Sequence, residues 1–301
     1  MIRPIDYAAL GVGVVAVSFA AVLIRGAEAP TLVIGAYRMM LAGAVAGGLA
    51  TLWRWRQGPL RRPAGRWWVS LASGGFLAFH FGFWIASLQQ TSVVTSVVLV
   101  TTTPLFVAAA SPWLLGESAG QATWGGIAVA AAGAALMAAE DVGEGADTLL
   151  GDLYALLGSA FAAAYLMAGR WARPGGSWLG YVGTVYPVAA VLLLAAVLVA
   201  REPLTGYEGK TYLMFVLLAA GPQLVGHSAL NWALGHLPAA LVSVAVLGEP
   251  VGATALAAAI LGETPTGLEA VGALLVLSGV YLALRPRRAV VAPEEGVEPL
   301  G

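Results

Sequence analysis

The chain has 301 residues, of which 59% are hydrophobic and only 10% charged, with a formal net charge of −1 and no cysteine. The hydrophobic residues gather in runs of about 17 to 25, the length a helix needs to cross the hydrocarbon of a bilayer, so a water-soluble globule is excluded. The missing cysteines exclude disulfides, thiol nucleophiles and thiolate metal sites, and the near-neutral balance says little about partners, because in a membrane chain what matters is where the charges fall.

Apolar runs punctuated by Gly, Pro and charged residues predict ten helices, at about residues 7–24, 31–53, 67–88, 92–115, 122–139, 153–171, 178–200, 211–232, 239–261 and 268–284. The opening MIRPIDYAALGVG runs into the first of them without a small-residue cleavage pattern, so it reads as a retained helix and not a signal peptide. A helix satisfies its own backbone in lipid, and the even alternation of a membrane barrel is absent, so the fold class is an all-α membrane protein. With the N-terminus in the cytoplasm, the inner side receives Arg3, Arg54, Arg56, Arg61, Arg62, Arg66, Arg170, Arg173, Arg285, Arg287 and Arg288, and the outer side only Arg25, Arg201 and Lys210. That asymmetry predicts cytoplasmic termini and places the acidic loop of Glu140, Asp141, Glu144 and Asp147 outside. Trp53, Trp55, Trp67, Trp68, Trp171 and Trp178 fall near helix ends, as interfacial anchors do.

Along the helices, the first chemically unusual residue is Arg38, seven residues inside the second helix, where it can snorkel outward or turn inward to a carboxylate. His80 in the third has Phe79, Phe83 and Trp84 as neighbours, and an aromatic wall with a few polar groups suits a small-molecule pocket. In the fourth, Thr101, Thr102 and Thr103 precede Pro104 and predict a polar notch, lining a cavity or bonding back to their own helix. Tyr165 in the sixth helix and Tyr186, beside Pro187, in the seventh can offer hydroxyls to a cavity or simply pack. His227 and Asn231, one turn apart in the eighth, predict a polar patch in the inner half, serving as a relay or ligand or as a neutral hydrogen-bonding pair.

Glu249 lies about halfway along the ninth helix, inside LGEP. A carboxylate at that depth costs about 2.5 kcal/mol or more unless it is protonated, paired or in a wet cavity. Pro250 beside it lacks an N–H and crowds the preceding turn, which weakens the helix and frees carbonyls. The residue is therefore a substrate-ammonium or proton site, or one half of an internal ion pair that holds helices together. Glu117 and Glu263, each after a Gly at a helix end, read as loop residues that define short turns. Gly43 and Gly47, Gly126 and Gly133, and Gly272 and Gly279 share helix faces and predict close helix contacts, inside the monomer for the first pair and there or across a dimer for the others.

Shifted by 146 residues, Pro104 falls on Pro250, Gly116 and Glu117 on Gly262 and Glu263, Gly126 on Gly272, Gly133 on Gly279 and Asp6 on Asp152. One register serves the whole length. It predicts two five-helix repeats, residues 1–146 and 147–288, with a short acidic, proline-rich tail at 289–301 read as disordered. Because five is odd, the second repeat enters the membrane inverted. Inverted repeats are typical of secondary transporters, whose substrate site lies where the halves meet.

The stretch HFGFWIASLQQTSVVTSVVLVTTTPLFVAAASPWLLGE, its partner GHSALNWALGHLPAALVSVAVLGEPVGATALAAAILGE and the arginine of GAYRMML resemble the drug/metabolite transporter superfamily, EamA type, over nearly the whole chain. The resemblance implies ten helices, cytoplasmic termini and export of small metabolites across the cytoplasmic membrane, with amino acids prominent among the substrates of relatives. It also favours a functional or gating role for Arg38. The expected function is a secondary transporter exporting an amino acid or related amine by alternating access, with drug-like organic cations or other metabolites as the alternative. The expected substrate-binding set is Glu249, His80, Trp84, Thr101, Thr103, Arg38, Tyr165, Tyr186, His227 and Asn231. Partners are a small molecule and the bilayer, with protons as a candidate coupling ion, no nucleic acid, and a monomer or homodimer as the unit. No cofactor or metal is expected. An intramembrane enzyme would need a nucleophile and base or a metal cluster, and the three scattered histidines and one deep carboxylate supply neither. A channel would more often show rings of like residues from symmetric subunits.

Overall fold

The computed structural model describes residues 3–60, 67–91, 93–117, 120–138, 146–172, 176–261 and 267–284. Among them every regular element is helical, and the elements join into ten rods. The first rod is α1 (Pro4–Ser18) and α2 (Ala20–Arg25), and the next two are α3 (Thr31–Gln57) and α4 (Trp67–Ser87). The fourth is α5 (Val93–Val100) with α6 (Thr103–Leu114), followed by α7 (Gln121–Ala138), α8 (Ala146–Ala172) and α9 (Trp178–Ala200). The eighth is α10 (Gly209–Leu218), a π-helical stretch (Ala219–His227) and α11 (Ser228–Leu234), the ninth α12 (Ala239–Val246) with α13 (Glu249–Leu261), and the tenth α14 (Gly267–Leu284). Among the described residues seven stretches are long and apolar enough to cross a membrane. The fourth, fifth and tenth rods offer only shorter helices there.

Several rods outrun their apolar cores. The sixth begins at Ala146, seven residues before the apolar run, and the second carries Arg54 and Arg56 in its last turn. Bases at a helix end are favoured by the helix dipole, so the polar last turn prolongs the second rod past its apolar run. Trp53, Trp55, Trp67 and Trp68 are exposed at such ends. The acidic residues Glu140, Asp141 and Glu144, the arginines Arg61, Arg62, Arg66, Arg173, Arg285, Arg287 and Arg288, Glu263 and the tail at 289–301 lie outside the described residues.

The two broken rods break at repeat-equivalent places. Residues 101–102 interrupt the fourth and 247–248 the ninth, so Thr103 and Glu249 each open a second half-helix with a proline immediately after them. At that position the missing N–H would have no helical partner anyway, and the fixed φ suits a helix start. The prolines are therefore comfortable where they stand, and the distortion is carried by the two residues before them. There the chain tightens to three-residue turns, Thr102 N–H to Leu99 O at 3.1 Å and Gly248 N–H to Ala245 O at 3.0 Å.

The halves face each other as an inverted repeat. A Cβ on Gly133 would sit 2.6 Å from Gly272 O, and one on Gly279 would sit 2.5 Å from Gly126 O. Rising numbers in α7 meet falling numbers in α14, so these repeat mates cross antiparallel. The same holds for α3 and α9, where a Cβ on Gly43 would lie 3.1 Å from Pro187 N and one on Gly183 3.0 Å from Ala46 O. Contacts between unlike rods recur in mirror fashion, α4 packing on α8 as α1 packs on the eighth rod. Glycines in all these seams let backbones approach closely, which is how helices associate when lipid offers no hydrophobic drive. All three glycine pairs are thus used inside the chain.

Glu117 does more than shape a turn. Gly116 adopts φ 67°, the left-handed cap expected of a helix stop. The carboxylate beyond it then accepts from Arg170 Nε at 2.5 Å and from the Ala239 N–H at 3.2 Å. Arg170 also donates to Leu234 O at 3.1 Å. One ion pair thereby ties together the ends of the fourth, sixth and eighth rods and the start of the ninth.

Candidate functional site

A cavity of about 60 Å³ lies on the seam between the halves. It is large enough for a few waters and too small for a metabolite without movement of its walls. The first half contributes Arg38, His80, Trp84, Thr101 and Thr103, and the second Tyr165, His227 and Glu249. The rest of the lining is aliphatic, from Val17, Ala20 and Leu230 among others. Both helix breaks open onto it. Among the described residues none of the fifth or tenth rod, which cross each other, lines it.

The geometry of each residue follows from its rod. His80 Nδ1 is 2.9 Å from Gly158 O, and its ring stacks on Trp84 with centroids 5.8 Å apart. Held in this way, His80 presents one ring nitrogen to Gly158, and the His227 ring lies 6.4 Å away across the cavity. Thr102 and Thr103 both bond back, to Leu99 O at 2.7 Å and Val100 O at 2.8 Å, and both hydroxyls meet Ser159 Oγ, at 3.0 and 3.2 Å. Their polarity is thus partly spent on stitching the break to α8.

Phe79 and Phe83 do not join this wall. They point from the other side of α4, stacking on Phe161 at 5.0 and 5.8 Å, and Phe79 is 54% exposed. His80, Phe81 and Trp84 are buried on the side of α4 that faces the cavity, whereas Phe79 and Phe83, four residues apart and so on one face, lie along the flank of α4 that meets Phe161 of α8. Tyr186 and Asn231 stand behind the lining. Tyr186 OH is 2.9 Å from Ser228 Oγ, and Asn231 Nδ2 donates to His227 O at 2.8 Å and also to Tyr165 OH.

Arg38 turns fully inward, with 0% exposure, its guanidinium carbon 4.0 Å from the centroid of the Phe81 ring. A desolvated cation over an aromatic face is worth about 2 kcal/mol. Its Nε donates to Gln223 Oε1 at 3.0 Å. Gln223, outside the expected substrate-binding set, sits in the π-helical stretch directly after Pro222, and an amide following Gly-Pro inside an apolar run is the same kind of signal as LGEP. Proline removes one helical hydrogen bond, and a π turn, often found at functional sites, absorbs the extra residue. Among the described residues Arg38 and Glu249 form no ion pair, although both face the cavity. No group of three or more His, Cys, Asp or Glu among them is placed to hold a metal ion.

Comparison with known proteins bears on the whole chain. A family model described as "EamA-like transporter family" matches twice, over residues 5–139 and 149–285. No curated protein matches. A solved structure titled "Crystal structure of protein" is similar at 23% identity, with 94% of this chain and 97% of that one covered and a TM-score of 0.75, a likeness of fold.

Proposed function

The chain belongs to the EamA-like transporter family, and on that premise we propose that it exports a small amine-bearing metabolite, an amino acid or a related amine, by alternating access. As a membrane transporter of small metabolites it has a small-molecule substrate and a lipid bilayer as partners. The observation that carries the finer reading is Glu249. A carboxylate without an ion-pair partner among the described residues opens a half-helix at a break, on the wall of a cavity shared by both halves. An ammonium group or a proton satisfies such a carboxylate, so exchange between the two couples substrate release to proton uptake.

Residues 1–146 and 147–288 act as the two rocking units. The paired breaks at 101–102 and 247–248 are their compliant points, since helices without a continuous hydrogen-bond ladder bend there. Arg38, His80, Trp84, Thr101, Thr103, Tyr165 and His227 complete the binding surface, with Tyr186 and Asn231 holding it from behind. The glycine faces are occupied within the chain, which supports a monomer as the working unit.

Counterflow in proteoliposomes with labelled amino acids and organic cations is the test. Saturable exchange of an amine-bearing solute is expected, whereas unitary electrical currents without counterflow would overturn the carrier reading in favour of a channel. The arginine asymmetry supports the reading that both termini lie in the cytoplasm, as in a protein of the cytoplasmic membrane. Reporter fusions at Gly301 and in the loop around Glu144 are expected to signal from opposite sides, and an external C-terminus would reverse the topology.

A further inference from the structure

We propose that Arg38, held by Gln223, is the subsite that grips a carboxylate of the transported molecule, so that the substrate is a zwitterion bearing both a carboxylate and an ammonium group and not a simple amine. The assignment rests on the transport function proposed above.

A guanidinium has five N–H donors in one plane. In Arg38 one edge is taken, Nε donating to Gln223 Oε1, and one face lies over Phe81. Nη1 and Nη2 are both buried and have no hydrogen-bond partner. Leaving the terminal nitrogens of a buried cation unmatched is costly, and proteins rarely tolerate it without a ligand in view. The end of the fork formed by these two nitrogens matches the two oxygens of a carboxylate, the bidentate geometry for which arginine is preferred over lysine. Trp84 Nε1, on the same cavity wall, is a second buried donor without a partner.

The natural internal anion for Arg38 would be Glu249, yet the two line one cavity without forming an ion pair. A molecule carrying a carboxylate for the first and an ammonium for the second satisfies both at once. A monovalent amine would leave the arginine unmatched, and a simple carboxylate would match the arginine but leave Glu249 to be met by a proton alone.

Gln223 is the positioning residue. Being neutral, it fixes the guanidinium plane without cancelling the charge the substrate needs, as a glutamate there would. The π turn places it, and its backbone carbonyl is held in turn by the Tyr186 hydroxyl at 3.5 Å and the Ser228 hydroxyl at 3.4 Å.

The experiment uses the full chain in proteoliposomes and solute triads that share a side chain: phenylalanine, phenethylamine and 3-phenylpropionate, and leucine, 3-methylbutylamine and 4-methylpentanoate. The amino acids are expected to drive counterflow with KM about tenfold or more below that of the matching amines, the worth of one charge-assisted contact. In Gln223→Leu and Gln223→Glu that KM ratio is expected to collapse toward one, because the fork is released in the first and neutralised in the second. If Gln223 is only structural, melting temperature falls and the ratio stays at its wild-type value, which overturns the proposal. Amines exchanging as well as amino acids in the wild type would also overturn it while leaving the transport function standing. No saturable flux of any member, against a panel of other labelled solutes, would remove both.

Discussion

Glu249→Gln is expected to keep the protein folded and to abolish or uncouple its transport. The side chains are nearly isosteric, so the half-helix that begins at residue 249 and the cavity wall it forms are preserved. The amide cannot take up a proton or pair with an ammonium group. Loss of a charge-assisted contact in a site shielded from water weakens substrate binding by about ten- to a hundredfold, and loss of the exchangeable proton removes the pH dependence of whatever flux survives. A purely structural carboxylate behaves in the opposite way, because a buried polar network broken at one member lowers stability first. Melting temperature and flux measured on one preparation separate the cases. Wild-type flux with wild-type pH dependence in Glu249→Gln would sink the mechanism.

Gly279→Ala, and its repeat mate Gly133→Ala, are expected to be among the most destabilising single changes in the chain. The added methyl would meet Gly126 O at 2.5 Å and Ala130 N at 2.6 Å in the first case, and Gly272 O at 2.6 Å and Val276 N at 2.8 Å in the second. These are backbone atoms on the facing helix, so no side chain can rotate away and α7 and α14 must separate. Overpacking of a core costs about 1–3 kcal/mol, and a rigid backbone neighbour puts these sites at or above the upper end. The comparison is Gly11→Ala, the same substitution in the first rod with nothing within 4 Å of the new carbon. There the gain in helix propensity is expected to leave melting temperature unchanged or slightly raised. Equal melting temperatures for Gly279→Ala and Gly11→Ala in detergent would show that the antiparallel seam is looser than these backbone distances require.

The order and number of the helices, their inverted arrangement and the repeat-equivalent places along the chain where two of them are weakened were set by the sequence alone. Apolar length counts spans, because the bilayer core imposes one dimension on every crossing, and an odd count in a repeated unit inverts the copy. The period of 146 residues that joins Pro104 to Pro250 also joins Thr103 to Glu249, and the structure opens its half-helices at those two residues. What the tertiary structure decided was facing and partnership. Phe79 and Phe83 looked like companions of His80 but belong to the far side of α4, Glu117 looked like a turn residue but ties four helix ends together, and Gln223 gave no sign that it would hold an arginine 185 residues away in sequence. In a water-soluble helix a polar stripe marks the outside. Here the surface meets lipid as apolar as the interior, so in rods such as α7 and α14 hydrophobicity differs little from side to side and the buried side is chosen only when glycine seams, helix breaks and paired polar groups are brought face to face.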